Sequence, residues 1–151
     1  MTLGSLTRPD LIFPDLPVAD RPEVLRALAE RVANQGLVAS GEELFRKLWE
    51  REQLGSTGIG LGVAIPHCKL DGLKQGIVAV GLVPEGIDFG AVDGQPVRIF
   101  FLVISPGGAP AEHLQILAAI SRWVKTGQNA SRLLALHDPG PVYDLLRSEA
   151  A

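Results

Sequence analysis

Glycines at 58, 60 and 62, running into Val63-Ala64-Ile65-Pro66 and then His67, constrain this chain more than any other stretch. Side chains alternate between faces in an extended segment, so glycine at every second position leaves one face bare and opens the backbone to close approach. Pro66 has no N–H and biases Ile65 towards extended geometry, so a strand over 63–65 is expected to end there and present His67 at its exit. Gly55-Ser56-Thr57 precedes the run with turn-forming residues and two hydroxyls, and Cys68 and Lys69 follow the histidine. A histidine held at a strand end beside bare backbone is placed for nucleophilic or proton-carrying work.

The flanking sequence supplies the elements that would hold such a site. Leu11-Ile12-Phe13, closed by Pro14 and Pro17, reads as an edge strand. Asp20 with Glu23, and Ser40 with Glu43, are capping-box pairs. They open two amphipathic helices, one with Val24, Leu25, Leu28, Ala29 and Val32 on its apolar face, the other with Leu44, Phe45, Leu48 and Trp49. After the glycine run, Ile77 to Val83 reads as a buried strand ended by Pro84-Glu85-Gly86, with a short strand over 87–89 and a hairpin signal at Asp93-Gly94. Val97 to Ile104 is the most strand-like run and is expected at the centre of the sheet. Ser105 to Pro110 breaks the chain, a helix follows from His113 to Lys125, and two shorter helices cover 129–136 and 142–146. This order predicts an α/β fold, a mixed β-sheet flanked by helices in a single compact domain.

Composition narrows the function. With 151 residues, 46% of them hydrophobic, the chain can bury a core of its own. A net charge of -3 gives no basic footprint for nucleic acid. A single cysteine excludes an internal disulfide, and no stretch approaches the ~18 apolar residues of a membrane span, so a cytoplasmic protein without membrane insertion is expected.

Several residues could carry chemistry, each with an ordinary structural reading beside it. His67 is a phosphoryl or acyl acceptor, a general base, or simply the end of a strand. His113 sits near a helix start, where imidazolium is disfavoured, so it either donates to an oxyanion or is a core histidine with one hydrogen bond. The backbone of Ser56, Thr57 and Gly58 with its two hydroxyls forms either an anion nest or a tight turn capped by Ser56. Arg51 either reaches an oxyanion there or serves its helix end. Cys68 points away from His67 in an extended segment and reads as a buried thiol. Neither a metal-ligand spacing nor a nucleotide-binding glycine loop is present, so no metal or cofactor is expected. A hydrolase with a His67 or Cys68 nucleophile is the competing enzyme class, although Asp71 is the only acidic residue close in sequence to His67.

Arg51-Glu52, Gly55-Ser56-Thr57-Gly58-Ile59-Gly60, Gly62-Val63-Ala64-Ile65-Pro66-His67 and His113-Leu114-Gln115-Ile116-Leu117 together resemble the enzyme IIA domains of the fructose-mannitol class, phosphocarriers of the bacterial sugar phosphotransferase system that include the nitrogen-regulatory IIA proteins. The resemblance implies one EIIA type-2 domain over residues 1–151, free of linked IIB, IIC or carrier segments. It implies phosphorylation of His67 with His113 as active-site partner and Arg51 as a site residue, and Ser56, Thr57 and Gly58 are expected to add phosphoryl-binding donors. It further implies a histidine-phosphorylated, HPr-like carrier protein as donor. The acceptor would be a IIB domain in sugar uptake or, in a regulatory switch, a target protein that reads the phosphorylation state. Leu61 stands where members commonly carry Asn or Glu, and Cys68 where a glycine or small residue is frequent.

Overall fold

The computed structural model describes residues 3–148, which form a six-stranded mixed sheet between two layers of helices. The strands are β1 (Ile12–Phe13), β2 (Gly58–Gly60), β3 (Val63–Ala64), β4 (His67–Leu70), β5 (Ile77–Ile87) and β6 (Val97–Pro106). Their order is β1-β5-β6-β3-β2, with β4 also paired to β6; β5 runs antiparallel to β6, whereas β1 is parallel to β5, and β3 and β4 are parallel to β6. As expected, β1 is an edge and β6 is central.

Alternation along β6 builds both halves of the core. Phe100, Leu102 and Ile104 face α1 (Arg21–Asn34) and α2 (Gly41–Gln53). Ile99, Phe101 and Val103 face α3 (Pro110–Lys125), α4 (Asn129–Leu134) and α5 (Pro139–Ser148). The predicted caps form: the Asp20 carboxylate accepts from the Glu23 N–H at 2.9 Å and the Ser40 hydroxyl from the Glu43 N–H at 3.1 Å, each worth about 1 kcal/mol to its helix. The predicted apolar face of α1 is buried in full. The third helix begins at Pro110, three residues ahead of the expected start, because proline suits the first helical turn.

Three local expectations are corrected. The sequence Pro84-Glu85-Gly86 does not end β5; the ladder slips between Leu82 and Ile87, and Ile87 then pairs with Val97 instead of opening a separate strand. A bulge tolerates a proline that has no N–H to give, and Gly86, at φ +82°, fits because a Cβ there would lie 2.8 Å from Pro96. Likewise Pro66 interrupts the edge without ending it. Val63 pairs with Ile99 and His67 with Val103 on the same neighbour, so His67 begins a strand and does not leave one.

Thirdly, the alternating glycines do not share one strand. Leu61 and Gly62 reverse the chain between β2 and β3 with φ of +61° and +76°, the left-handed pair that a tight hairpin needs. Gly58 is required for another reason, since a Cβ there would sit 2.8 Å from that of Ala91. Leu61 is the one non-glycine with positive φ among the described residues and remains 60% exposed, its N–H held by the Asp93 carboxylate at 3.2 Å. A branched side chain in this conformation is strained, so Leu61→Asn is expected to raise stability by about 0.5–1 kcal/mol. Urea unfolding measures this; a lower midpoint in Leu61→Asn would show that leucine's contacts outweigh the strain.

Candidate functional site

The site lies where the C-terminal end of α2 and the first turn of α3 meet β4. His67 follows Val63 and Ile65 on the α3 side of the sheet, while Ala64, Cys68 and Leu70 pack on the α1–α2 side. The His67 Nδ1 is 2.7 Å from the Ile65 carbonyl oxygen. A carbonyl can only accept, so Nδ1 carries the proton and Nε2 keeps its lone pair. Arg51 confirms that tautomer from the other side, donating its Nε–H to His67 Nε2 at 3.2 Å. The guanidinium is anchored in turn by Nη1 donating to the Gly55 carbonyl at 2.8 Å.

His113 completes the group. Its ring centroid lies 5.2 Å from that of His67, the planes inclined by 58°. It is 7% exposed, and its Nδ1 is 2.7 Å from the Ser105 hydroxyl. When that hydroxyl donates to Nδ1, the His113 proton resides on Nε2 and is available to an oxyanion. The three residues expected to act together, His67, His113 and Arg51, are therefore brought together. Ser105 is not visible as a site residue in the sequence, because it heads a proline-glycine break and reads as punctuation. It is fully buried opposite Lys69 in the β4–β6 ladder.

The surroundings of both imidazoles favour the neutral ring. Burial pushes His67 below the ordinary histidine value and the charges of Arg51 and Lys69 push the same way, against the Ile65 carbonyl, which favours the protonated ring. Burial likewise lowers His113, helped by His67 and Lys69. A neutral ring with a free lone pair is the nucleophilic form.

The donors expected from Ser56, Thr57 and Gly58 are placed differently. The Ser56 hydroxyl donates to the Phe89 carbonyl at 2.7 Å and accepts from the Gly58 N–H at 3.0 Å. The Thr57 N–H donates to Glu52 Oε2 at 3.2 Å, and its hydroxyl to Glu52 Oε1. These groups close the turn instead of forming an open anion nest. The partner of Thr57, Glu52, is 2% exposed and is a second residue to which the sequence alone assigns no role.

Cys68 is buried on the opposite side of β4, and burial pushes its thiol up to about 12, which removes it as a nucleophile near neutral pH. The two imidazoles bond to Arg51, Ile65 and Ser105, with no carboxylate behind either ring among the described residues, so the Ser-His-Asp type of hydrolase arrangement is missing. Asp71, the acidic neighbour in sequence, packs instead against the backbone of Gly107.

The family model of the phosphoenolpyruvate-dependent sugar phosphotransferase system EIIA 2 matches residues 5–149. The chain belongs to this family. The EIIA chain is 38% identical over 147 residues to a nitrogen regulatory protein of Bradyrhizobium diazoefficiens, covering 97% of this chain and 95% of the relative. It is 32% identical over 144 residues to a fructose-specific EIIA component of Haloferax volcanii, covering 95% and 94%. The crystal structure of the nitrogen regulatory protein IIA-Ntr from Neisseria meningitidis superposes on this EIIA fold with a TM-score of 0.88 at 29% identity, covering 95% of this chain and 98% of that one. No helix among the described residues of the EIIA chain is long and apolar enough to cross a membrane.

Proposed function

We propose that this EIIA domain carries a phosphoryl group on Nε2 of His67, taken from a histidine-phosphorylated, HPr-like carrier protein in the cytoplasm. The observation that carries the reading is the tautomer: Nδ1–H is held by Ile65 and the Nε2 lone pair faces Arg51. In the step, the Nε2 lone pair forms a bond to phosphorus while the N–P bond of the donor breaks and its electron pair returns to the donor's ring. His67 keeps its Nδ1 proton, so the phosphorylated ring bears positive charge, and the donor leaves neutral with its own N–H; no proton need move. Arg51 caps the lone pair at rest and has to move onto the phosphoryl oxygens as the bond forms. His113, through Nε2–H, and Lys69 supply further positive potential where charge develops. Ser56, Thr57 and Gly58 support this arrangement by closing the turn, and the reading uses neither metal nor cofactor.

Transfer in line requires donor and acceptor proteins to dock in turn over His67. Leu54 and Leu114, 85% and 66% exposed, follow Arg51 by three residues and His113 by one, and give such partners apolar surface beside the charged centre. Of the two roles open to a IIA domain, regulation is favoured by the likeness to the nitrogen regulatory proteins, while delivery to a IIB domain is favoured by the fructose-specific relative. The experiment charges the protein with labelled phosphoryl from a phosphorylated carrier and then adds a purified IIB domain. Slow discharge, together with a target protein that binds His67→Asp and His67→Ala unequally, supports a switch. Rapid discharge supports transport. A protein that takes no label from the carrier contradicts both.

A further inference from the structure

We propose that Glu52 is the positioning residue of the phosphoryl site: its buried carboxylate, acting through Thr57 and the backbone of Ile65, fixes the His67 tautomer whose Nε2 is free to react. The inference rests on the function proposed above and assigns a role to a group that the transfer step itself does not touch.

Glu52 follows Arg51 at the end of α2 and is 2% exposed. Burying a carboxylate costs several kcal/mol unless donors and opposite charge surround it. The structure supplies both, since Thr57 donates its hydroxyl to Oε1 and its N–H to Oε2 at 3.2 Å, and Arg21 Nη2 lies 3.8 Å from Oε2. Arg21 is itself held against the rings of Trp49 and Phe89, at 5.8 and 5.6 Å from their centroids. Closing a turn alone would need only a neutral acceptor. Burial pushes the Glu52 carboxyl above the ordinary value, while Thr57, Arg21 and Arg51 pull it back, and an acid kept here at that cost points to a further task.

The bonds beyond Thr57 show that task. The Thr57 carbonyl accepts from the Ile65 N–H at 3.0 Å, and the Ile65 carbonyl accepts from His67 Nδ1–H at 2.7 Å. Glu52 therefore holds Thr57, Thr57 holds the Ile65 backbone, and the Ile65 carbonyl takes the imidazole proton, so the chain sets the position of the acceptor that selects the tautomer. Free histidine prefers the proton on Nε2, the arrangement that would block transfer; the chain enforces the opposite one. The Ile65 carbonyl so placed also favours the positive charge that the ring acquires on phosphorylation. Since Arg51 adjoins Glu52 on the same helical turn, one short segment sets the partners of both ring nitrogens.

The test compares the wild type with Glu52→Gln, Thr57→Val and Thr57→Ser in two readouts: the protonation of the His67 ring nitrogens by ¹⁵N NMR, and the rate of label transfer from the phosphorylated carrier. Wild-type protein should show Nδ1–H. In Glu52→Gln and Thr57→Val the Nε2–H form should become prominent and transfer should slow by about 10–100-fold, as is usual when a supporting partner is lost. Thr57→Ser, which keeps the hydroxyl, should restore the wild-type tautomer and most of the rate. Folded Glu52→Gln and Thr57→Val proteins with the wild-type tautomer and rate would overturn the proposal, leaving Glu52 a purely structural group. If Glu52→Gln does not fold, the contrast between Thr57→Val and Thr57→Ser decides the matter alone. A wild type that takes no label defeats the functional reading, while the tautomer readout still judges the role of Glu52.

Discussion

His67→Ala is expected to take up no phosphoryl label from a phosphorylated carrier, under conditions in which the wild type becomes fully labelled and loses the label in acid. No neighbour can replace it. Cys68 is buried on the other side of the strand with its thiol pushed up to about 12, and His113 is 7% exposed with Nδ1 tied to Ser105. The fold should survive, because the substitution removes the bonds to Ile65 and Arg51 and the ring contact with His113 but none of the apolar core, a loss on the order of 1–3 kcal/mol. Two measurements belong together here: label incorporation and a urea melt. Full labelling of a folded His67→Ala protein would end the assignment.

Arg51→Ala should be the next most damaging change, slowing transfer about 10²–10³-fold, the usual cost of losing a donor aimed at developing negative charge. Two opposed effects meet at this residue. Removing the guanidinium uncovers the His67 lone pair, which favours attack, but it also removes the cation best placed to receive the phosphoryl oxygens. Stabilisation should win, because a 3.2 Å bond to a neutral nitrogen is weaker than charge-assisted bonds to a phosphoryl group. Arg51→Lys should recover only part of the rate, since an ammonium keeps the charge without the planar fork. A pH signature accompanies the loss. Arg51 is one of the charges that keep His67 below its ordinary value, so its removal raises the pKa of His67. The acid side of the rate profile then moves to higher pH, because more of the nucleophile is protonated at a given acidity. Transfer as fast as wild type, or faster, in Arg51→Ala would show that capping the lone pair is the dominant role of Arg51.

The layers of the fold are legible in the sequence because local and global signals agree. The capping pairs at Asp20 and Ser40 and the apolar stripe of α1 act within a few residues, and the uninterrupted apolar run from Ile99 to Ile104 in β6 marks a strand buried on both faces. Prolines mislead. Both Pro84 and Pro66 break a ladder locally, yet pairing resumes beyond each on the same partner strand. That outcome is decided by the neighbouring strand and cannot be seen in the segment itself. The hairpin at Leu61 is hidden for a related reason, since leucine carries no preference for the left-handed conformation it adopts.

At the site, His67 stands out in the sequence because the Ala-Ile-Pro-His core with its upstream glycines is specific, whereas His113 and Arg51 are reached only through the family resemblance. What holds them is not visible there. Ser105 looks like a loop residue and Glu52 like one more acid on a helix, and their importance lies in burial and in bonds to residues 8 and 5 positions away. Ser56 and Thr57 err in the opposite direction. Their hydroxyls advertise anion binding, and only tertiary packing shows that Phe89 and Glu52 already occupy them.

On this mechanism the hydrogen bonds around His67 reserve Nε2 for the phosphoryl group. The most direct measurement is ¹⁵N–³¹P coupling in the uniformly ¹⁵N-labelled protein after phosphorylation by the carrier, which identifies the nitrogen bonded to phosphorus. Coupling to Nε2 of His67 is expected, with a proton retained on Nδ1. Phosphorus on Nδ1 of His67, or on either nitrogen of His113, would contradict it.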